Sequence, residues 1–133
     1  MARPYYGDRR DDLEALYPTS ISFCTFHQDY SLGLIESISL GVVFLIAFWS
    51  GPAVQKFKLV CYALEDSVPW DRFKFHVIDT DGLKAGNPFE THESLGGYGE
   101  AFWIRQGAIV SSMGKEWSND RFDTLTRELI AAQ

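Results

Sequence analysis

The stretch Trp49-Ser50-Gly51-Pro52-Ala53 decides the fold of this chain. It follows an apolar run, residues 42–48, and it precedes residues 54–64, where apolar side chains recur every three or four positions. An unbroken apolar run predicts a strand that is covered on both faces, and the spacing after it predicts an amphipathic helix. Ser50 suits the N-cap of that helix, and Pro52 suits its first turn. The pentapeptide therefore predicts a corner between a buried strand and a helix.

Further strands and helices are predicted around this corner. Alternating apolar residues predict strands at residues 21–26 and 73–78, and a hairpin is predicted from residues 101–105 and 108–112. Helices are predicted at residues 11–17, in short form near residues 31–39 and 89–95, and after Ser118. Parallel strand–helix–strand units, then a hairpin and a last helix, imply an α/β fold with a mixed sheet of four to five strands flanked by helices.

Composition predicts one folded domain over residues 1–133, with residues 1–18 as a polar N-terminal arm that holds the first short helix. Apolar residues make up 46% and aromatic residues 15% of the chain, which excludes disorder. The net charge of −6 argues against nucleic acid and anionic membranes as partners. No signal-peptide pattern is present, and no apolar run approaches the roughly 20 residues of a membrane helix. We therefore expect a soluble, cytoplasmic protein.

The order of elements, together with Phe48-Trp49-Ser50-Gly51-Pro52-Ala53, resembles the thioredoxin family from about residue 20 to residue 130. The resemblance implies a thioredoxin-like three-layer sandwich. In that family, cysteines on either side of Gly-Pro perform thiol–disulfide exchange, because a thiolate at a helix N-terminus attacks and the second cysteine resolves the mixed disulfide. Here those two positions hold Ser50 and Ala53.

Two more parts of the family's site are changed. The position of its buried carboxylate falls at Phe44. Counting back from the turn at Arg105-Gln106-Gly107 places the position of its cis-proline at Gly99. A cis bond before a residue other than proline costs about 2.5–4 kcal/mol, so a trans bond is expected at Gly99. The resemblance thus implies a divergent member with a degenerate motif at Trp49 to Ala53, no catalytic residues and no cofactor.

The leading functional hypothesis is a redox-inactive domain that acts by binding another protein, as an adaptor, assembly factor or chaperone-like module. The thioredoxin arrangement would place Trp49, Tyr98 and Gly99 on one exposed rim. Aromatic side chains are frequent anchors of protein interfaces, so this rim is the candidate binding site. We therefore expect a protein partner.

Several other functions remain open at this point. An immunity or inhibitor protein that neutralises a toxin would suit a small acidic domain. An atypical thiol–disulfide oxidoreductase would use Cys24 or Cys61, although both lie in segments predicted to be core. His76, Asp79 and Asp81 match no metal-binding spacing, and an Asp-rich strand end before Gly82 is ordinary turn chemistry. We expect no metal site. His92 and Glu93 are expected to lie in a solvated loop.

Overall fold

A computed structural model describes residues 9–132, in which one mixed five-stranded sheet packs with three α-helices. The strands are β1 (Cys24–His27), β2 (Leu40–Ile46), β3 (Lys74–Asp79), β4 (Glu100–Arg105) and β5 (Ala108–Met113), and the helices are α1 (Arg10–Leu16), α2 (Gly51–Glu65) and α3 (Asn119–Ala131). Across the sheet the order is β1-β3-β2-β4-β5. The first three strands are parallel, and β4 and β5 are antiparallel to their neighbours. The predicted α/β fold with a mixed sheet is confirmed.

Strand β2 lies at the centre and is buried along its whole length. Its side chains alternate between two cores. Val42 and Phe44 enter a first core between the sheet and the three helices, whereas Val43 and Leu45 enter a second core on the other face. The apolar pattern of this strand is unbroken because both of its faces are buried, as the sequence predicted.

The two faces of the sheet are covered differently. Helices α1, α2 and α3 supply the first core, for example through Leu13, Phe57 and Phe122. The second core is covered by short 3-10 turns, Ile35–Ser37 and Pro88–Thr91, where short α-helices were predicted. These segments lack the length to sustain α-helical hydrogen bonding beyond a single turn.

Two strand boundaries also differ from the prediction. Strand β1 begins at Cys24 because Pro18–Ser22 forms a 3-10 turn that leaves Ile21 exposed. Strand β2 ends at Ile46, because the chain already turns at Ala47, whose carbonyl oxygen accepts a hydrogen bond from the amide of Ser50. The predicted short helix of the N-terminal arm is present as α1, whereas residues 1–8 of that arm lie outside the described residues.

Strand alternation places the two aromatic residues of β4 on opposite faces, with Trp103 in the first core and Phe102 in the second. None of the helices between residues 9 and 132 combines the length and the apolar character needed to cross a membrane.

A pair of histidines joins the edge strand β1 to β3. His27 Nε2 and His76 Nδ1 lie 2.9 Å apart, so one imidazole donates a hydrogen bond to the other. Burial, with smaller effects of His27 and Lys74, lowers the pKa of His76 to about 4. Burial, with a smaller effect of Arg10, also lowers the pKa of His27. Both rings are therefore neutral in the folded protein at neutral pH.

We expect this pair to make the fold sensitive to mild acid. A histidine in the unfolded chain takes up a proton as the pH falls through about 6.5, whereas His76 stays neutral until about pH 4. The stabilisation that the neutral His76 gives the folded state is complete above pH 6.5 and is lost between pH 6.5 and 4. This loss lowers the free energy of unfolding by on the order of 2–3 kcal/mol. Urea denaturation at several pH values measures this loss.

The variant His76→Val is the control, because carboxylates titrate in it as they do in the wild type. Its free energy of unfolding should change less over the same pH range. Equal losses in the two proteins would contradict the assignment.

Candidate functional site

The corner between β2 and α2 is built by helix capping. Ser50 has an extended backbone, with φ −109° and ψ 119°, and its Oγ accepts a hydrogen bond of 3.4 Å from the amide of Ala53. Gly51 begins the helix, and Pro52 follows in the first turn, where its missing N–H costs nothing. Ser50 is partly exposed and Ala53 is buried. A hydroxyl and a methyl group therefore stand where the resemblance expects two sulfur atoms.

Trp49 stands at the outer edge of this corner and is 65% exposed. Its indole Nε1 donates a hydrogen bond of 3.3 Å to Asp81 Oδ1, in the turn after β3. The other end of the ring lies against Gly97, where an added Cβ would overlap the indole. Trp49 is thus a large exposed side chain that is held in position by two separate loops.

Gly99 lies directly against the corner. It has φ +85°, and a Cβ built on it would lie 3.0 Å from Phe44 Cζ and 3.1 Å from Ala53 Cα. Among the described residues no peptide bond is cis. The loop before β4 therefore approaches the start of α2 through a glycine, and the ring of Phe44 fills the space beneath it.

Phe44 makes the interior of this region apolar. It is fully buried, and its ring centroid lies 6.2 Å from that of Phe57 and 6.3 Å from that of Trp117. A proton-transferring carboxylate at this position would need a polar partner or solvent. Here the position holds a hydrocarbon ring among other rings.

Lys56 and Glu100, which the sequence analysis did not single out, hold the loop of residues 96–99. The Lys56 ammonium donates hydrogen bonds to the carbonyl oxygens of Gly99 at 3.4 Å and Gly114 at 3.0 Å, and it lies 5.1 Å from the ring centroid of Trp117. Burial lowers the pKa of Lys56, and the carboxylates of Glu100 and Glu93 oppose that shift. One side chain of α2 thereby fixes the loops before β4 and after β5.

Glu100 holds the same loop from within. Its side chain is fully buried, and Oε2 accepts hydrogen bonds from the amides of Gly96 at 3.3 Å and Tyr98 at 3.2 Å. Burial raises the pKa of Glu100, whereas the two amides and Lys56 act in the opposite direction. Because the Tyr98 amide is already used, it is not free to pair with an added strand. Recognition at this loop would therefore rest on side chains.

Tyr98 and Trp49 flank the glycines of this loop. Tyr98 is 38% exposed, and the Lys115 ammonium lies 5.6 Å from its ring centroid. We call Trp49, Gly97, Tyr98 and Gly99 the rim. The structure brings Trp49 to Gly97 and Gly99 to the corner, so the predicted residues lie close together. Of the predicted exposed rim, however, only Trp49 and Tyr98 are exposed, whereas Gly99, like Gly97, is buried because it packs against the corner. Gly97 was missed because the contact depends on a loop nearly fifty residues away along the chain.

The two cysteines lie away from this surface. Cys61 is three turns along α2 from Ser50, and both thiols are free. Burial raises the pKa of Cys24 to about 12 against a smaller opposing effect of Arg10. Burial also raises the pKa of Cys61, with smaller contributions from Cys24 and Glu65. Both thiols are therefore protonated at neutral pH and poorly nucleophilic.

The other polar candidates serve local structure. Asp79 Oδ1 accepts a hydrogen bond from the amide of Asp81, as in an ordinary Asx turn. Ser112 Oγ donates to the carbonyl of His92 and to Glu93 Oε2. Between residues 9 and 132, no group of three or more His, Cys, Asp or Glu side chains is arranged to hold a metal ion.

Gly99→Ala tests the close approach at the corner. We expect it to lower the free energy of unfolding by roughly 1–3 kcal/mol, because alanine disfavours φ +85° and its methyl group would press on Phe44 and Ala53. Gly51→Ala is the matched control, since nothing lies within 4 Å of its added Cβ. It should be neutral or slightly stabilising. Equal midpoints of urea denaturation for the two variants would contradict this account.

No protein-family model matches the chain, and no curated protein matches it in sequence. Solved structures do match it. A mutant thioredoxin from Halobacterium salinarum is 16% identical with a TM-score of 0.60, and the match covers 80% of this chain and 90% of that one. Thioredoxin from Trypanosoma brucei brucei is 16% identical with a TM-score of 0.59, and the match covers 80% of this chain and 92% of that one.

A third match comes from a structure of the thiol-resolving mechanism in yeast mitochondrial 1-Cys peroxiredoxin via the glutathione and thioredoxin systems. It is 13% identical with a TM-score of 0.61 and covers 81% of this chain and 97% of that one. At these identities the likeness concerns architecture alone. Together with the mixed sheet and the corner after β2, it shows that this chain has the thioredoxin fold.

Proposed function

We propose that this protein is a redox-inactive thioredoxin-fold domain that binds another protein through the rim. The observation that carries the proposal is Trp49. Its indole is 65% exposed, yet it is fixed by Asp81 on one side and by Gly97 on the other. A large aromatic side chain that is ordered before binding loses little entropy in a complex, which is the property of an interface anchor.

The side chains at the corner support a protein that does not perform thiol–disulfide exchange. Ser50 cannot form a disulfide, and its hydroxyl serves the helix N-cap. Ala53 supplies no resolving thiol. The raised pKa values of Cys24 and Cys61 disfavour the thiolate that exchange requires.

The chemistry of the rim favours a partner that presents side chains rather than an extended strand. The amide N–H of Tyr98 donates a hydrogen bond to the Glu100 carboxylate, and the carbonyl oxygen of Gly99 accepts one from the Lys56 ammonium. Both backbone groups would have to break these contacts to join a partner's sheet. Trp49 and Tyr98 offer apolar faces, while Asp81 and Lys115 beside them offer charges of both signs. An adaptor, assembly or chaperone-like role fits such a surface.

A thiol assay tests redox inactivity. At about pH 8, where an unperturbed thiol reacts readily, Cys24 and Cys61 should react with a thiol reagent on the order of 100-fold more slowly than in the denatured chain. The chain should also fail to reduce insulin disulfides. Labelling of either native cysteine at the rate of the denatured chain, or insulin reduction at the rate of a thioredoxin, would contradict the proposal.

Binding through the rim is tested by quantitative affinity capture from an extract of the native cell, followed by titration with the captured partner. Trp49→Ala should weaken binding at least about 30-fold, the loss expected of an anchor residue worth 2 kcal/mol or more. Tyr98→Ala should weaken it less, because Tyr98 is less exposed.

The control is Leu32→Ala, because Leu32 is 97% exposed and takes no part in the contacts that define the rim. It should bind like the wild type. Unchanged binding by both rim variants would move the interface elsewhere, and recovery of a basic nuclease as the partner would favour the inhibitor role.

A further inference from the structure

A second surface, distinct from the rim, lies between α2 and α3. The two helices enclose a groove of about 570 Å³ on the outside of the first core. Apolar side chains form its floor, among them Val60, Leu64 and Phe122. At its mouth Leu59 is 43% exposed and Tyr62 is 79% exposed. Among the described residues, these are the only two large apolar side chains on an α-helix that are exposed.

The two helices lie on the same face of the sheet, with the groove between them. Strand β5 is parallel to β2 because each is antiparallel to β4, so α2 and α3 begin at the same end of the sheet. Trp117, just before α3, lies beside Lys56 near the start of α2. The groove is lined by the last part of α2, residues 59–64, and by nearly the whole of α3, which is about 20 Å long at 1.5 Å per residue.

Two opposite charges stand on the α3 side of the groove. Asp123 and Arg127 both line it and lie one helical turn apart. Such a pair can form an ion pair within one helix. In this structure neither residue makes an ion pair within residues 9–132, and the one hydrogen bond of the Arg127 side chain is a 3.5 Å contact with Thr124 Oγ1. Both charges are available to groups outside the chain.

We propose that this face binds a second copy of the same chain and forms a two-fold symmetric dimer. A two-fold interface uses the same patch on both copies, so each charge must find its complement within the patch itself. A two-fold axis midway between Asp123 and Arg127 runs α3 antiparallel to α3 of the second copy. Each Asp123 then faces an Arg127, twice per dimer.

The same two-fold arrangement also covers the exposed apolar side chains. Leu59 and Tyr62 of each copy lie beside the groove, and the second copy covers them while it covers the groove. An unrelated partner would need no pair of opposite charges spaced by one turn. The spacing of Asp123 and Arg127 therefore favours a second copy over another protein.

The dimer is expected to be weak. The groove is lined by only the last part of α2 and by α3, so the interface is smaller than the roughly 800 Å² per partner of a standard interface. Charges at the edge of an interface set its specificity more than its strength. We expect a dissociation constant in the micromolar range, so that the monomer and the dimer exchange with concentration.

Sedimentation equilibrium from roughly 1 to 500 µM measures this association, since that range brackets a dissociation constant in the micromolar range. Asp123→Arg leaves two positive charges on the patch, because Arg127 is already positive. Arg127→Asp leaves two negative charges there, because Asp123 is already negative. Each variant alone should have a dimer dissociation constant raised at least tenfold. An equimolar mixture of the two should associate again, because the patches then have opposite charges.

Two further variants make the outcome decisive. Tyr62→Ala, at a side chain too exposed to be needed for folding, should also raise the dissociation constant. Arg121→Asp makes the same charge change on α3 outside the groove, and it should associate like the wild type. A wild type that stays monomeric over the whole range would overturn the proposal. It would equally be overturned by a dimer that ignores both charge reversals, or by a mixture of the two reversed variants that does not associate.

Discussion

The burial of β2 on both faces is the constraint on which the rest of this structure depends. The strand is hydrogen-bonded to β3 on one edge and to β4 on the other, so none of its backbone groups is left for solvent. Its alternating side chains require a cover on each face, which three helices supply on one side and 3-10 turns on the other. The corner at Trp49 to Ala53 lies where this strand ends. Its position is therefore fixed by the most buried part of the chain.

The changes at the corner form one connected set. The Phe44 ring reaches beneath the loop before β4, and Gly99 admits that loop because a larger residue would meet the ring. Lys56 then ties the loop to α2 through the carbonyl of Gly99, and Glu100 secures the amides of Gly96 and Tyr98. The result is a closed backbone with two aromatic side chains outside it. Such a surface suits recognition through side chains, which is the basis of the proposed function.

Local patterns in the sequence predicted most of the fold. The capping of α2 by Ser50, the hairpin at Gln106-Gly107 and the start of α3 after Ser118 depend on neighbouring residues, and the structure has all three. The errors lie where tertiary contacts decide. Ile21 belongs to a 3-10 turn although its pattern resembled a strand. Lys56 looked like an ordinary polar residue of an amphipathic helix, because its partners Gly99 and Gly114 lie more than forty residues away.

We propose that the corner keeps the capped strand-to-helix turn of the thioredoxin fold and lacks thiol–disulfide chemistry. The double variant Ser50→Cys with Ala53→Cys tests it, because Ser50 Oγ already points to the amide of Ala53 at 3.4 Å. The measurement is the count of titratable thiols in the denatured chain before and after mild oxidation. We expect oxidation to remove two thiols within a monomer, reversibly, while Cys24 and Cys61 remain reduced. A variant that keeps all its thiols, or that loses them only through crosslinks between chains, would contradict it.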